Sequence, residues 1–246
     1  ATDRHTRAIV VQLNSIRKPR KFMSAARLAS RLKPVVVLKP HDQSFHQSDL
    51  IYDAAFSRAG LIRVSTLEDF MTAIETLHAL KPLTQNGLMV VASAYSLGNM
   101  TLDTLRSHGG NIAMLSDETV TALQLALPQH FAKGFTDSLS DNIPQNPIKV
   151  GDYMPPENLK VVLEILIKER SLGGILVVNS ATHQVRDTAL AQIICDIATK
   201  TRIPIMASWI GGLHAKWAID VLKKHHVAHY SSPSDAVTEF ARASAY

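Results

Sequence analysis

Four consecutive aliphatic residues, Val35–Leu38, set the first constraint on the fold. A strand with one wet face alternates apolar and polar side chains. One that is apolar at every position is buried on both faces, as in parallel sheets covered by helices. The neighbouring segments agree. Phe22, Ala25, Ala26, Ala29 and Leu32 recur at helical spacing before it. Leu67, Phe70, Met71, Ile74 and Leu77 do so after a further strand at Leu61–Val64, behind a capping box of Ser65 and Glu68. Ala8–Leu13 reads as a strand, and Asp49–Ala59 as a helix closed by Gly60.

The same grammar continues after a break at Pro82–Gly87. Strands are predicted at Leu88–Ala92, Ile112–Leu115, Ile175–Asn179, Pro204–Trp209 and Val227–Tyr230. Amphipathic helices stand between and after them, and Ala132–Pro156 reads as a long polar loop without periodicity. The fold class is therefore α/β: two doubly wound parallel-sheet, flavodoxin-like subdomains, residues 1–82 and 87–246. The first carries only three strands, thin for a free-standing sheet. A preceding strand and helix are expected elsewhere in a longer protein.

Two strand–turn–helix stretches carry the chemistry. Val90-Val91-Ala92-Ser93-Ala94-Tyr95-Ser96-Leu97-Gly98 and Val177-Val178-Asn179-Ser180-Ala181-Thr182-His183 each run from an apolar strand through small and hydroxyl residues into a helix. The amides that open a helix have no partner inside it, and the helix dipole adds positive potential, so such a turn favours an anion, phosphate above all. Candidate ligand-binding residues are Ser93, Ala94, Ser96, Gly98, Ser180 and Thr182. Gly211 and Gly212, which open the helix after the Pro204–Trp209 strand, join them.

Other features point to less. The 246 residues carry a formal charge of +5, with one dense basic cluster at Arg17, Lys18, Arg20 and Lys21. That cluster could meet phosphates, but no zinc-finger spacing or aromatic–basic interleaving argues for nucleic acid. His225, His226 and His229 straddle a helix-to-strand junction that splays them, so no metal site is expected. Ser96 lacks the G-x-S-x-G elbow of a hydrolase. Trp209 and Trp217 are expected in the core. Cys195, the one cysteine, is expected as a buried small hydrophobe. No apolar run approaches the ~20 residues of a membrane helix. Arg4, His5 and Arg7 lead straight into a strand, unlike a signal peptide. A cytoplasmic protein is expected.

The ordered set of Lys33-Pro-Val-Val-Val-Leu-Lys39, Tyr52-Asp-Ala-Ala-Phe-Ser-Arg-Ala-Gly60, Arg63-Val-Ser-Thr-Leu-Glu68, Leu115-Ser-Asp-Glu118, Asn146-Pro-Ile148 and Trp209-Ile-Gly-Gly212 resembles the NDP-forming acyl-CoA synthetases, relatives of succinyl-CoA synthetase. The resemblance covers nearly the whole chain. It implies the end of one CoA-ligase domain followed by a second. It also implies partner domains outside this stretch, a CoA-binding domain and an ATP-grasp domain, and CoA or acyl-CoA, ATP and magnesium as cofactors of the parent protein. In that family a histidine on a glycine-rich loop ferries a phosphoryl group between sites. An imidazole suits the task because it is nucleophilic near neutral pH and gives a labile phosphoramidate.

The sequence departs from the family at three places that handle the phosphoryl group. Only Pro40-His41-Asp42-Gln43-Ser44-Phe45-His46-Gln47-Ser48-Asp49 joins strand to helix, and it contains no glycine. His46 is the nearest candidate for the phosphorylated residue. The family's Gly-rich turn reads Ser93-Ala94-Tyr95-Ser96, where Tyr95 would crowd a cradled phosphate. Its Asn-Pro-Val-Asp reads Asn146-Pro147-Ile148-Lys149. Ala59-Gly-Leu-Ile-Arg-Val64, Glu75-Thr-Leu77 and Leu115-Ser-Asp-Glu-Thr119 with Leu127-Pro-Gln-His130 resemble the ligase-like region of long bacterial protein lysine acetyltransferases. The resemblance implies a non-transferring region that senses acyl-CoA and docks against an acetyltransferase domain. Two alternatives stay open: a working ADP-forming synthetase fragment using a phosphohistidine, and a docking module without ligand. A homo-oligomer is compatible with all three.

Overall fold

The computed structural model describes residues 3, 5, 6, 8–41, 46–81, 83–127, 146–150, 154–181 and 183–244, with the backbone alone at 46–48, 184 and 185. The chain divides into two compact units, residues 1–79 and 80–245.

In the first unit β1 (Ile9–Gln12), β2 (Val35–Leu38) and β3 (Ile62–Val64) pair in parallel in the order β1-β2-β3. All four β2 residues are buried, and they divide by parity. Val35 and Val37 face a cluster with Ala26 of α1 (Pro19–Ser30) and Phe56 of α2 (His46–Arg58). Phe56 stacks at a tilt on Phe22 and Tyr52, with centroids 6.2 and 5.6 Å away. Val36 and Leu38 face the other way, toward Phe70, Ala73 and Leu77 of α3 (Leu67–Ala79). Helices therefore cover both faces, as the uninterrupted apolar run requires.

The second unit holds β4 (Gly87–Ala92), β5 (Asn111–Ile112), β6 (Ile148–Lys149), β7 (Gly174–Ser180), β8 (Ile205–Ile210) and β9 (Ala228–Tyr230), all parallel. Its helices are α4 (Tyr95–Ser107), α5 (Asp117–Ala126), α6 (Pro156–Leu166), α7 (Gln184–Lys200), α8 (Lys216–Lys224) and α9 (Pro233–Ser244). The order β5-β4-β7-β8-β9 is the flavodoxin-like 2-1-3-4-5 arrangement. Its core is aliphatic, from Met89 and Val91 through Val177 and Ala207 to Leu163 and Ile194.

Two expectations are corrected here. The sheet contains a sixth strand, β6, inside the stretch read as an aperiodic loop; positions 132–145 and 151–153 of that stretch lie outside the described residues. The strand expected at Ile112–Leu115 is only Asn111–Ile112. Both differences have one cause. β5 pairs only with Gly87 and Leu88, at the start of β4, and β6 pairs with Val91 and Ala92, at its end. Asn146 fills the gap between them. Its Nδ2 donates to Leu88 O (2.8 Å) and Ala113 O (3.1 Å), and its Oδ1 accepts from Val90 N (3.0 Å). A side-chain amide thus does the pairing of a missing strand residue, and a two-residue strand leaves no periodicity to read. Among the described residues no helix is long and apolar enough to cross a membrane. Pro82, taken as the break between subdomains, lies outside the described residues.

Candidate functional site

The strand order reverses at β4, which has β5 and β6 on one side and β7 on the other. Ligands of open α/β sheets bind beyond the carboxyl ends of the strands at such a point. The two turns singled out in the sequence both lie there. They are joined: Ser93 N–H donates to Val178 O (3.0 Å), and Ser180 N–H donates to Ser93 Oγ (3.1 Å).

The turns differ in what they offer. α4 begins without a side-chain cap, behind an extended Ala94, and its first turn contains no acidic residue. Its opening amides lack helical acceptors. Tyr95 and Ser96 are exposed there. Lys149 pairs in register with Ala92 and so sits at the same edge of the sheet. Gly98 serves packing. Its amide bonds to Ala94 O inside the helix, and a Cβ on it would lie 2.7 Å from Pro147.

At the α7 turn three amides are used internally. Ser180 N–H goes to Ser93 Oγ, Ala181 N–H to Ile210 O (2.6 Å), and His183 N–H to Asp187 Oδ2 (2.9 Å). Asp187 is fully buried, and its Oδ1 accepts from Asn179 Nδ2 (2.9 Å). The chain's own carboxylate thus stands where an anion was expected, and an incoming phosphate would be repelled by it. Thr182 lies outside the described residues. Gly211, at φ 143°, lets the β8 turn approach Ala181, whose carbonyl oxygen would lie 2.7 Å from a Cβ; Gly212, at φ 54°, faces open space.

In the first unit the sequence hid the most connected side chain. Arg63, on β3, is half-buried, its side chain 7 % exposed, and grips both ends of the segment joining β2 to α2. Its Nε donates to Lys39 O (3.1 Å) and its Nη2 to Pro40 O (3.5 Å), on the strand side. On the helix side Nη2 donates to Asp49 Oδ1 (2.6 Å) and Nη1 to Asp53 Oδ1 (2.8 Å). Burial disfavours the guanidinium charge, yet the bonds to Asp49 and Asp53 outweigh it and raise the pKa above its usual value. Lys39 Nζ lies 4.7 Å from the centre of the Tyr52 ring. The one signal in the sequence was a charge between Ile62 and Val64, with Asp49 and Asp53 one helical turn apart. His46 begins α2; its side chain and residues 42–45 lie outside the described residues.

Cys195 is buried, and burial pushes its thiol up to about 11. Trp209 is in the core, but Trp217 is 54 % exposed, correcting its core assignment: it falls on the outward side of α8, whose inward side is Ala218 and Leu222. Among the described residues no three His, Cys, Asp or Glu converge on a point. His226 instead closes α8 at φ 55°.

The class defined by fold and edge is a pair of parallel α/β units, the second flavodoxin-like. Residues 1–77 match the family described as the succinyl-CoA ligase like flavodoxin domain. The chain is 22% identical over 249 residues to the alpha subunit of acetate–CoA ligase [ADP-forming] I of Pyrococcus furiosus, covering 96% of this chain and 51% of that protein. It is 24% identical to acetate–CoA ligase [ADP-forming] of Methanocaldococcus jannaschii, covering 96% of this chain and 34% of the relative. Its fold superposes, with a TM-score of 0.85 and 20% identity, on the dinucleotide-forming acetyl-coenzyme A synthetase 1 of Ca. Korarchaeum cryptofilum in complex with phosphate and ADP, covering 100% of this chain and 54% of that one. The chain spans about half or less of each of these proteins. The matches support the NDP-forming acyl-CoA synthetase family.

Proposed function

We propose that this chain is the ligase-like part of a larger acyl-CoA synthetase-type protein in which the phosphohistidine relay has stopped, and that it acts as an acyl-CoA-responsive regulatory region of a protein acetyltransferase. Residues 1–82 are the end of one CoA-ligase domain and residues 87–246 are the second. The observation that carries the reading is Arg63, which ties down both ends of the 40–49 segment. A carrier histidine must travel between sites; here His46 is already the first residue of α2, and only the seven glycine-free residues 39–45 join that helix to β2, with Arg63 fastening both flanks, which opposes such travel.

The binding element is the β4–α4 edge. Its uncapped helix, the Ser93, Ala94 and Ser96 turn and Lys149 suit a phosphate of CoA or acyl-CoA. The α7 edge, with Asp187 buried in it, does not fit such a group. CoA, ATP and magnesium belong to the parent protein in this reading.

The second reading, a working ADP-forming synthetase with His46 as phosphoryl carrier, is favoured by the activity in the names of the relatives. Incubating the full-length protein with γ-labelled ATP and mapping acid-labile phosphate separates the two. The first reading expects none on His46 and a calorimetric signal with acetyl-CoA. Stoichiometric label on His46 establishes the second. Neither label nor heat leaves a docking module.

A further inference from the structure

Ten of the 26 Lys and Arg residues fall between positions 4 and 41, where there is no Asp or Glu. Six of them, Arg17, Lys18, Arg20, Lys21, Arg27 and Arg31, are exposed on or beside α1, and none has an acidic partner among the described residues. The helix carries one exposed leucine, Leu28 (65 %), and Leu32 (56 %) is exposed in the turn two residues past its end. At 100° per residue Arg20, Arg27 and Arg31 form one stripe of the outward face. Lys21 and Leu28 form a second stripe beside it.

On the opposite face of the same sheet, α3 carries the complement. Leu67 (67 %) and Met71 (50 %) are exposed one turn apart. Glu68 and Glu75, both exposed and both without an ion pair among the described residues, line the adjacent stripe. The stripes are arranged in opposite order on the two helices. When α1 meets α3 side by side in the same direction, cations face carboxylates and Leu28 faces Leu67 and Met71. Antiparallel packing would put charge on leucine. With Arg27 level with Glu68, Leu28 falls between Leu67 and Met71, and Arg31 lies about 4.5 Å along the axis from Glu75, within reach of both side chains.

We propose that a second copy of this chain occupies this face, α1 of one copy docking in parallel on α3 of the next. α1 returns from β1 to β2, and α3 follows β3 and folds back onto β2 from the other face, so the two helices run the same way on opposite faces of the sheet. A translation across the sheet therefore brings them together, and the contact repeats without closing. One helix pair buries less than the ~1,200 Å² of a standard interface, so the association is weak and salt-sensitive.

Sedimentation velocity on the full chain tests this. Weight-average mass should rise at least about twofold between micromolar and millimolar protein at low salt, and return to the monomer near 0.5 M NaCl. R27E/R31E and E68K/E75K should each stay monomeric with unchanged circular dichroism. The quadruple variant, with the charges exchanged, should associate again. A parent chain that stays monomeric throughout overturns the proposal, even if α1 then captures an acidic peptide such as polyglutamate. So does association that survives R27E/R31E, or a quadruple variant that remains monomeric.

Discussion

Arg63 Nη2 and Asp49 Oδ1 meet at 2.6 Å with both side chains 7 % exposed, so the pair that anchors the 40–49 segment is sealed from solvent. Removing Arg63 takes the guanidinium from both Asp49 and Asp53 and leaves the buried Asp49 carboxylate with weaker compensation, including His41 Nδ1 at 3.4 Å. Arg63→Met is expected to cost about 3–5 kcal/mol, measured by urea denaturation, and pairing it with Asp49→Asn should recover a large part of that loss. Equal losses in the single and double variants would show that the contact does not hold the segment.

Glu169 ties the end of α6 to the start of α5. Its Oε2 accepts from Ser116 N, Ser116 Oγ and Thr119 Oγ1, and its Oε1 from Ser171 N and Ser171 Oγ. Burial alone would raise its pKa, but these bonds, led by the Ser116 hydroxyl, hold it near 2. A depressed carboxyl stabilises the fold fully above its unfolded pKa of about 4.5 and loses that stabilisation as pH falls through 2. Glu169→Gln should therefore be less stable than the parent at pH 7, by at most about 3 kcal/mol. The gap should narrow between pH 5 and 2. Parallel stability curves would refute the assignment.

What the sequence disclosed follows from how each feature is encoded. Val35–Leu38 announced a doubly covered strand because burial of both faces leaves no polar position. The cap of α3 was legible only to within one position: Ser65 and Glu68 fit a capping box, but it is Thr66 Oγ1 that accepts, from Asp69 N (3.0 Å). β6 stayed hidden because two residues have no period, and Asn146, which completes the pairing, reads locally as a turn residue. The turns at Ser93 and Ser180 looked alike in one dimension. They differ through Asp187, four residues past His183, whose reach back to the turn depends on helix geometry. Arg63 was invisible for a similar reason: its partners lie 10 to 24 residues away.

Gly98 and Pro147 touch where α4 crosses β6. A Cβ at Gly98 would lie 2.7 Å from both Cβ and Cγ of the Pro147 ring and 3.2 Å from Ala92 Cβ. A pyrrolidine ring cannot rotate aside, so Gly98→Ala should destabilise the second unit by about 1–3 kcal/mol, against the usual gain for that exchange in a helix. Pro147→Ala, made in the Gly98→Ala background, should relieve part of the clash. A chemical-denaturation midpoint that does not fall in Gly98→Ala contradicts the contact.

His226 stands at φ 55°, two residues past the end of α8, while the Val227 amide donates back to Leu222 O (3.0 Å) and the His226 amide to Lys223 O (3.1 Å). This is the closing geometry in which glycine is normally found, because an L side chain raises the energy of the left-handed backbone. Replacing the residue with glycine should therefore stabilise the fold by up to about 1 kcal/mol, even though glycine costs more chain entropy on folding. His226→Ala keeps the Cβ and loses the ring, so it should show no such gain. If the two variants unfold at the same temperature, the imidazole's own contacts rather than the backbone set the stability of this cap, and the left-handed turn is not the reason a histidine is tolerated there.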